Sequence, residues 1–175
     1  CDPRECAAIT EYAITERKGP VYISLNTGNF PDITPENYRF VPGKPVQFAE
    51  GSDLTIVALG TAVHDVLEAQ KRLGSACKAD IFALSSIRPI DTDAIAESIR
   101  KTGRVITVEQ HSTHGGAGSL IAECIAERGL GAKLKRMGVP EGQYTKNWTA
   151  PDNKIHFALD AAGIGASITE FLARA

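Results

Sequence analysis

A repeated alternation of short apolar runs and helix-type patterns after Gly51 constrains the fold of this chain more than any other feature. Its clearest unit spans residues 104–127, where Ile106 and Val108 stand in a run rich in β-branched residues. Such a run is typical of a strand that is buried on both faces of a parallel sheet. A polar loop over 109–114 and a glycine-rich turn follow, and then apolar residues recur at helical spacing. This unit therefore predicts a strand, a loop, a turn and a helix.

The same alternation predicts the rest of the main domain. Strands that alternate with helices imply a mainly parallel sheet whose two faces are covered by helices. The predicted strands are 46–48 at an edge, 54–59, 79–84, 104–108 and 133–137. Helical patterns follow the strands that begin at 54, 79 and 104, and two more helices close the chain. We therefore expect an α/β fold of three layers with an open sheet.

The first residues predict a separate unit. Residues 1–17 read as a helix that Asp2 caps and Pro3 begins, and residues 21–25 read as a short strand. One helix and one strand do not make a core, so we expect this opening to be the tail of a preceding domain. Prolines then interrupt residues 26–51. The expected boundaries are 1–33 for the remnant, 34–50 for a linker and 51–175 for the main domain.

Charge and cysteine content exclude several classes of protein. The net charge of −2, with both signs mixed along the chain, argues against broad binding to nucleic acid or to an anionic membrane. The 4 cysteines form no CxxC pair, which argues against a zinc framework and a redox dithiol. No apolar run approaches the roughly 20 residues of a membrane span, and the chain opens without a signal segment. We expect a cytoplasmic protein without a metal site.

The polar loop after the central strand carries the candidate catalytic residues, which are Glu109, His111 and His114. Imidazole titrates near neutral pH, so the two histidines suit acid–base or hydrogen-bonding work on a substrate. They suit a contact between domains or subunits equally well. Metal binding is disfavoured, because His-x-x-His on a loop has no clear third ligand.

The turn after this loop contains Gly115, Gly116, Gly118 and Ser119. Free amides at a helix N-terminus can bind an anion. A dinucleotide site is disfavoured because the third glycine of GxGxxG is missing. The small residues also let the helix approach a neighbouring domain or subunit closely, and we favour this second interpretation.

Four phrases, in this order and spacing, resemble the C-terminal domain of transketolase-like, thiamine-diphosphate-dependent enzymes. They are SDLTIVALGTAVHDVLEA, SSIRPID, GRVITVEQHSTHGGAGSLIAE and MGVPEGQYT. That group includes transketolase, deoxyxylulose-phosphate synthase and the β subunit of 2-oxoacid dehydrogenases. The resemblance covers residues 51–175, and residues 2–25 resemble the last helix and strand of the pyrimidine-binding domain that precedes it.

This resemblance implies that the cofactors belong to other parts of the parent enzyme. In the family, thiamine diphosphate and Mg²⁺ are held by a diphosphate-binding domain and a pyrimidine-binding domain, and neither site lies in the matched stretch. The chain alone is therefore expected to bind no cofactor and to be inactive. Its expected partners are the remaining domains or subunit of the parent, in a homodimer.

The tail of the preceding domain departs from the family at Asn26 and Thr27. Sugar-phosphate transketolases carry an arginine there, in a Ser-Arg-Gln-like context, that grips the substrate phosphate. This chain has LNTG over 25–28 instead. Neither an amide nor a hydroxyl replaces the charged, bidentate contact of arginine. These two residues are thus candidate substrate-proximal positions, and the substrate is expected to lack a phosphate at that end.

The leading hypothesis is a C-terminal fragment or subunit of an enzyme that transfers a two-carbon ketol unit between sugars. The chain itself would serve dimerisation and the active-site entrance, within carbohydrate metabolism. Two alternatives stay open. The chain is a piece of a deoxyxylulose-phosphate synthase or of a 2-oxoacid dehydrogenase β subunit, or it is a stand-alone binding module without catalysis.

Overall fold

The computed structural model describes residues 1–174, which form one five-stranded sheet with helices on both faces. The strands lie in the order β1-β3-β2-β4-β5. In chain order the elements are α1 (Pro3–Thr15), β1 (Val46–Ala49), β2 (Leu54–Leu59), α2 (Ala62–Leu73), β3 (Ala79–Leu84), α3 (Asp93–Thr102), β4 (Arg104–Ser112), α4 (Ala117–Glu127), β5 (Lys133–Val139), α5 (Ala150–His156) and α6 (Ala161–Ala173). A 3-10 turn, Gly74–Ala76, follows α2.

The sheet is parallel except at one edge. Strand β2 pairs in parallel with β3 and β4, and β4 pairs in parallel with β5. Only β1 runs antiparallel, beside β3. The predicted mainly parallel, three-layer α/β fold is confirmed, because helices cover both faces of this sheet.

Each face of the sheet has its own apolar cluster. On one face, α2 and α6 bury residues such as Val66 and Ile164 against the sheet. On the other face, α3 and α4 contribute Ile99 and Ile121. All four side chains are fully buried. Strands β2 and β3 are buried along almost their whole length because both of their faces are covered.

The structure corrects the prediction of a strand over residues 21–25. No strand forms there, and Val21, Tyr22 and Leu25 are exposed by 45%, 91% and 65%. A strand needs a neighbour for its N–H and C=O groups. Within residues 1–174, no segment pairs with this stretch, so its apolar side chains face solvent.

The central strand is longer than predicted. We expected β4 to end at Val108, but it continues to Ser112, which pairs with Val139 of β5 after an irregularity in the ladder. Strand β5 likewise extends beyond the predicted Met137. The polar residues of the predicted loop therefore lie partly on a strand. Among residues 1–174, none of the helices has both the length and the apolar composition that crossing a membrane requires.

Two buried carboxyl groups dock helix α1 onto the rest of the chain. Asp2 caps the helix as predicted, accepting from the N–H of Glu5 at 2.8 Å. It also accepts from the N–H groups of Ile33 and Thr34, at 2.8 and 2.7 Å. Glu5 accepts from the hydroxyl groups of Tyr38 and of Ser85, which follows β3. These bonds tie α1 to the linker and to the carboxyl end of the sheet.

Asp2 gives the stability of this docking a defined pH dependence. Burial raises the pKa of Asp2, but bonds from the backbone N–H groups of Glu5, Thr34 and Ile33 outweigh it and lower the pKa. A pKa that is lower in the folded state stabilises the fold above the unfolded-state value, and this stabilisation is lost as pH falls through the folded-state value. The difference in the free energy of unfolding between wild type and Asp2→Asn should therefore decrease below about pH 4.

Urea denaturation at a series of pH values measures this difference. Glu36→Gln removes an exposed carboxyl group from the linker to which Asp2 bonds, and it should leave the pH dependence unchanged. A constant difference between wild type and Asp2→Asn down to about pH 2 would contradict the assigned role of Asp2.

Candidate functional site

Glu109 closes the first turn of helix α4 from the neighbouring strand. Its side chain is fully buried, and its two carboxyl oxygens accept from the N–H groups of Ala117 and Gly118, at 2.8 and 3.0 Å. The N-cap residue, Gly116, has no side chain that could do this. A carboxyl group at a helix N-terminus satisfies otherwise unbonded amides and interacts favourably with the helix dipole. Glu109 thus acts as the cap of α4.

The glycines of the turn make room for this cap. A Cβ at Gly116 would lie 2.0 Å from Oε2 of Glu109. A Cβ at Gly118 would lie 2.7 Å from Oγ1 of Thr107 on the same strand. The small residues thus let α4 approach the chain's own strand closely, and the approach to a neighbouring domain or subunit stays a prediction.

This geometry corrects the anion-binding interpretation of the turn. The amides that would receive an external anion are bonded to Glu109. Gly115 donates its N–H to Oγ of Ser119 at 3.1 Å. The helix end therefore binds a carboxyl group of this same chain.

The two predicted histidines are exposed at the end of β4 and in the turn that follows. His111 lies on the strand, with Nδ1 at 3.0 Å from the carbonyl oxygen of Ser112. His114 donates its backbone N–H to Oγ of Ser112 at 3.1 Å. The carboxyl group of Glu109 is bonded to Ala117 and Gly118, while the hydrogen bonds of the two histidines are to Ser112. Within residues 1–174, no group of three or more His, Cys, Asp or Glu side chains is arranged to hold a metal.

A second set of polar side chains meets at the carboxyl ends of β2 and β4. From these adjacent strands the chain runs in opposite directions across the sheet, to β3 and to β5. Such a reversal opens the crevice in which parallel α/β sheets usually bind ligands. There, Nδ2 of Asn26 donates to Oγ1 of Thr61 at 2.7 Å and to Oε1 of Gln110 at 3.2 Å. We call these three residues the switch-point cluster.

The cluster contains one predicted residue and two that sequence reasoning missed. Asn26 was a candidate, and Thr27 beside it is exposed. Thr61 lies between β2 and α2, and Gln110 belongs to the segment 109–114 that was predicted only as a polar loop. Their positions in the sequence could have identified them. Thr61 follows β2, and Gln110 follows the buried part of β4, and these two strands are neighbours in the sheet. None of the three side chains is charged, so the cluster can donate and accept hydrogen bonds but cannot form a salt bridge.

An open cavity of about 330 Å³ lies next to this cluster. Gln110 belongs to both, and Trp148 and Lys146 line the cavity from the segment that follows β5. Lys154 also lines it and pairs with Asp65 of helix α2 at 2.6 Å. We call it the Trp148 cavity.

Comparison with known proteins places these features in context. Residues 43–164 match the family described as transketolase, C-terminal domain. Over 163 residues, the chain is 37% identical to one subunit of the apulose-4-phosphate transketolase of Actinobacillus succinogenes, covering 93% of this chain and 52% of that protein. It is 35% identical over 127 residues to the 1-deoxy-D-xylulose-5-phosphate synthase 1 of Geobacter sulfurreducens, covering 71% of this chain and 20% of that protein.

A solved structure described as a split gene transketolase, inactive beta4 tetramer, superposes with a TM-score of 0.90. Its sequence is 34% identical, and the match covers 99% of this chain and 56% of that one. The chain thus spans about half the length of the apulose-4-phosphate transketolase subunits that it matches.

The contact between Glu109 and Gly116 can be tested by one added methyl group. Gly116→Ala should destabilise the protein by about 2 kcal/mol or more, because the new Cβ displaces the buried carboxyl group and leaves helix amides unbonded. The backbone at Gly116 has φ −92°, so strain in the backbone does not contribute. Chemical denaturation measures the change.

Gly165→Ala is the matched control. A Cβ at Gly165, inside helix α6, meets no atom within 4 Å. It should stabilise the protein by about 0.5–1 kcal/mol because alanine favours helix. Equal effects of the two substitutions would refute the role given to Glu109.

Proposed function

We propose that this chain, which belongs to the transketolase C-terminal domain family, is part of a thiamine-diphosphate-dependent enzyme that transfers a two-carbon ketol unit between sugars. Within that enzyme its role is structural. It supports assembly of the homodimer and forms one side of the active-site entrance, and it is not catalytic alone. We also propose a cytoplasmic location, since the 4 cysteines are free.

One observation carries this proposal. Residues 21–25 are mostly exposed and pair with no strand within residues 1–174. The next residue, Asn26, is hydrogen-bonded to Thr61 and Gln110 at the switch point. An exposed apolar segment of strand-forming residues is expected to pair with a sheet outside this chain. The upstream part of the enzyme would therefore meet this domain at the carboxyl ends of its strands. Residues 1–33 would continue that upstream domain, 34–50 would be the linker, and 51–175 would form the C-terminal domain.

The residues of this chain do not fit the diphosphate of the cofactor. The helix end that could bind a phosphate group already holds Glu109. We therefore assign thiamine diphosphate and Mg²⁺ to the remaining domains or subunit of the parent. His111 and His114, which are exposed at the same edge of the sheet, are proposed to face the entrance.

A second candidate is a piece of a deoxyxylulose-phosphate synthase. The identity of 35% to a protein of that name favours it. Detection of 1-deoxyxylulose 5-phosphate as the product of the assembled enzyme, instead of ketol transfer, would select this second function.

The assembled parent enzyme tests the role of the switch-point cluster. Asn26→Leu removes the bonds to Thr61 and Gln110, so the ketol-transfer kcat/KM should fall about tenfold as the entrance loses its fixed geometry. The chain alone should show no transfer. Gln47→Leu, on the exposed side of edge strand β1, should leave kcat/KM unchanged. Full activity of Asn26→Leu would contradict this role.

Substrate preference tests whether the lack of an arginine at positions 26 and 27 reflects a substrate without a phosphate at that end. In the assembled enzyme, Thr27→Arg and Asn26→Arg should each raise the preference for phosphorylated over free sugars by about tenfold, because a guanidinium adds a charge-assisted bond. Thr169→Arg, on an exposed position of helix α6, is the control for added charge. An unchanged ratio of the two kcat/KM values would show that no phosphate is bound at this position.

A further inference from the structure

The turn over residues 113–116, which contains His114, joins strand β4 to helix α4 at the carboxyl edge of the sheet. Both His114 and Gly115 are exposed. Gly115 has φ +75°, a conformation that glycine adopts without steric cost, and glycine also loses more conformational freedom on folding than other residues. A turn with such freedom stays in one conformation only where contacts from neighbouring elements offset the entropy that it loses.

Hydrogen bonds to two neighbouring elements hold the ends of this turn. Thr113 donates its N–H to the carbonyl oxygen of Val139, at the end of β5, at 3.0 Å. Gly115 donates its N–H to Oγ of Ser119, in the first turn of α4, at 3.1 Å. The turn is therefore held by β5 on one side and by α4 on the other.

Arg136 of β5 joins these two points of attachment. Its Nη1 donates to the carbonyl oxygen of Thr113 at 2.9 Å and to Oγ of Ser119 at 3.3 Å. Oγ of Ser119 thus accepts from both Gly115 and Arg136. Hydrogen bonds from a charged guanidinium group are stronger than those between neutral groups. One side chain therefore links the strand, the turn and the helix.

The path of the Arg136 side chain depends on a glycine of helix α4. A Cβ at Gly118 would lie 2.9 Å from both Cγ and Cδ of Arg136. The apolar stem of Arg136 therefore runs across the first turn of α4, and its charged end reaches the turn over 113–116. Gly118 thus makes room for Arg136 as well as for Thr107.

The guanidinium group of Arg136 is used for the turn and not for an ion pair. In the described part of the chain, no carboxyl oxygen lies within 4.0 Å of this group. Its bonds to Thr113 and Ser119 are thus the polar contacts that the structure gives it. Holding the turn is the role that these contacts support.

We propose that Arg136 is a positioning residue, which holds the turn in the conformation that presents the imidazole of His114 to the substrate at the active-site entrance. This role rests on the proposed function, in which His114 faces the entrance. Arg136 acts through His114 and does not itself contact the substrate. A displacement of about 1 Å in a group that orients a substrate can lower the rate by about a hundredfold.

NMR relaxation of the full 175-residue chain measures whether Arg136 holds the turn. The N–H groups of His114 and Gly115 should have order parameters of about 0.85 in wild type and of about 0.6 or less in Arg136→Met. Methionine keeps an apolar stem and removes the donors. Lys135→Met is the matched control, because this neighbouring lysine pairs instead with Glu170 of helix α6. Order parameters that are unchanged in Arg136→Met would overturn the proposal.

Kinetics of the assembled parent enzyme test whether Arg136 acts through His114. Arg136→Met and His114→Ala should each lower kcat/KM about tenfold. The double variant should be no slower than His114→Ala, because Arg136 has no imidazole left to position. A merely structural role would give independent effects that multiply to about a hundredfold. That result, or full activity of either single variant, would overturn the proposal.

The outcomes distinguish a failure of this role from a failure of the proposed function. If the assembled wild type makes 1-deoxyxylulose 5-phosphate and transfers no ketol unit, the proposed function is wrong, and the same variants are then compared by formation of that product. If ketol transfer is observed and the effects of the two substitutions multiply, the positioning role is wrong and the proposed function stands.

Discussion

The bond between the Glu109 carboxyl group and the first amides of helix α4 is the interaction on which the carboxyl edge of this domain depends. A fully buried carboxyl group is costly unless its oxygens are hydrogen-bonded, and here two backbone N–H groups satisfy them. The bond holds α4 against the strand from which Glu109 projects. Because Gln110 is the next residue of β4, the same bond helps to fix its position at the carboxyl edge. The absence of side chains at Gly116 and Gly118 is a condition for this geometry.

The carboxyl edge of the sheet is also where the first part of the chain is anchored. Asp2 and Glu5 are 5% and 1% exposed, and each satisfies its oxygens with groups from the linker or from the end of β3. Helix α1 therefore packs on the main domain through buried polar contacts more than through an apolar face. Such contacts fix the position of the helix, because leaving a buried carboxyl group unpaired costs free energy. The apolar stretch 21–25 has no comparable anchor within residues 1–174, which is why we propose it as a point of contact with a neighbour.

Two kinds of polar site thus lie side by side at one edge of a parallel sheet. The switch-point cluster consists of uncharged side chains that bond to one another. The Trp148 cavity is lined by Lys146 and by the aromatic ring of Trp148. Gln110 belongs to both, bonding to Asn26 on one side and lining the cavity on the other.

The sequence by itself determined the architecture and the family of this protein. The β-branched runs identified the buried strands, Asp2 and Pro3 located the start of helix α1, and the order of strands and helices implied the parallel sheet. These signals are local, since each depends on residues within one or two turns or strand segments. The tertiary structure alone decided the end of β4, the absence of a strand over 21–25 and the role of Glu109. Each depends on what lies opposite in space. Strand β4 continues because β5 lies beside it. Residues 21–25 do not form a strand because, within residues 1–174, no strand lies beside them. Asn26 and Gln110 meet although they are 84 positions apart, and no local pattern records a contact at that separation.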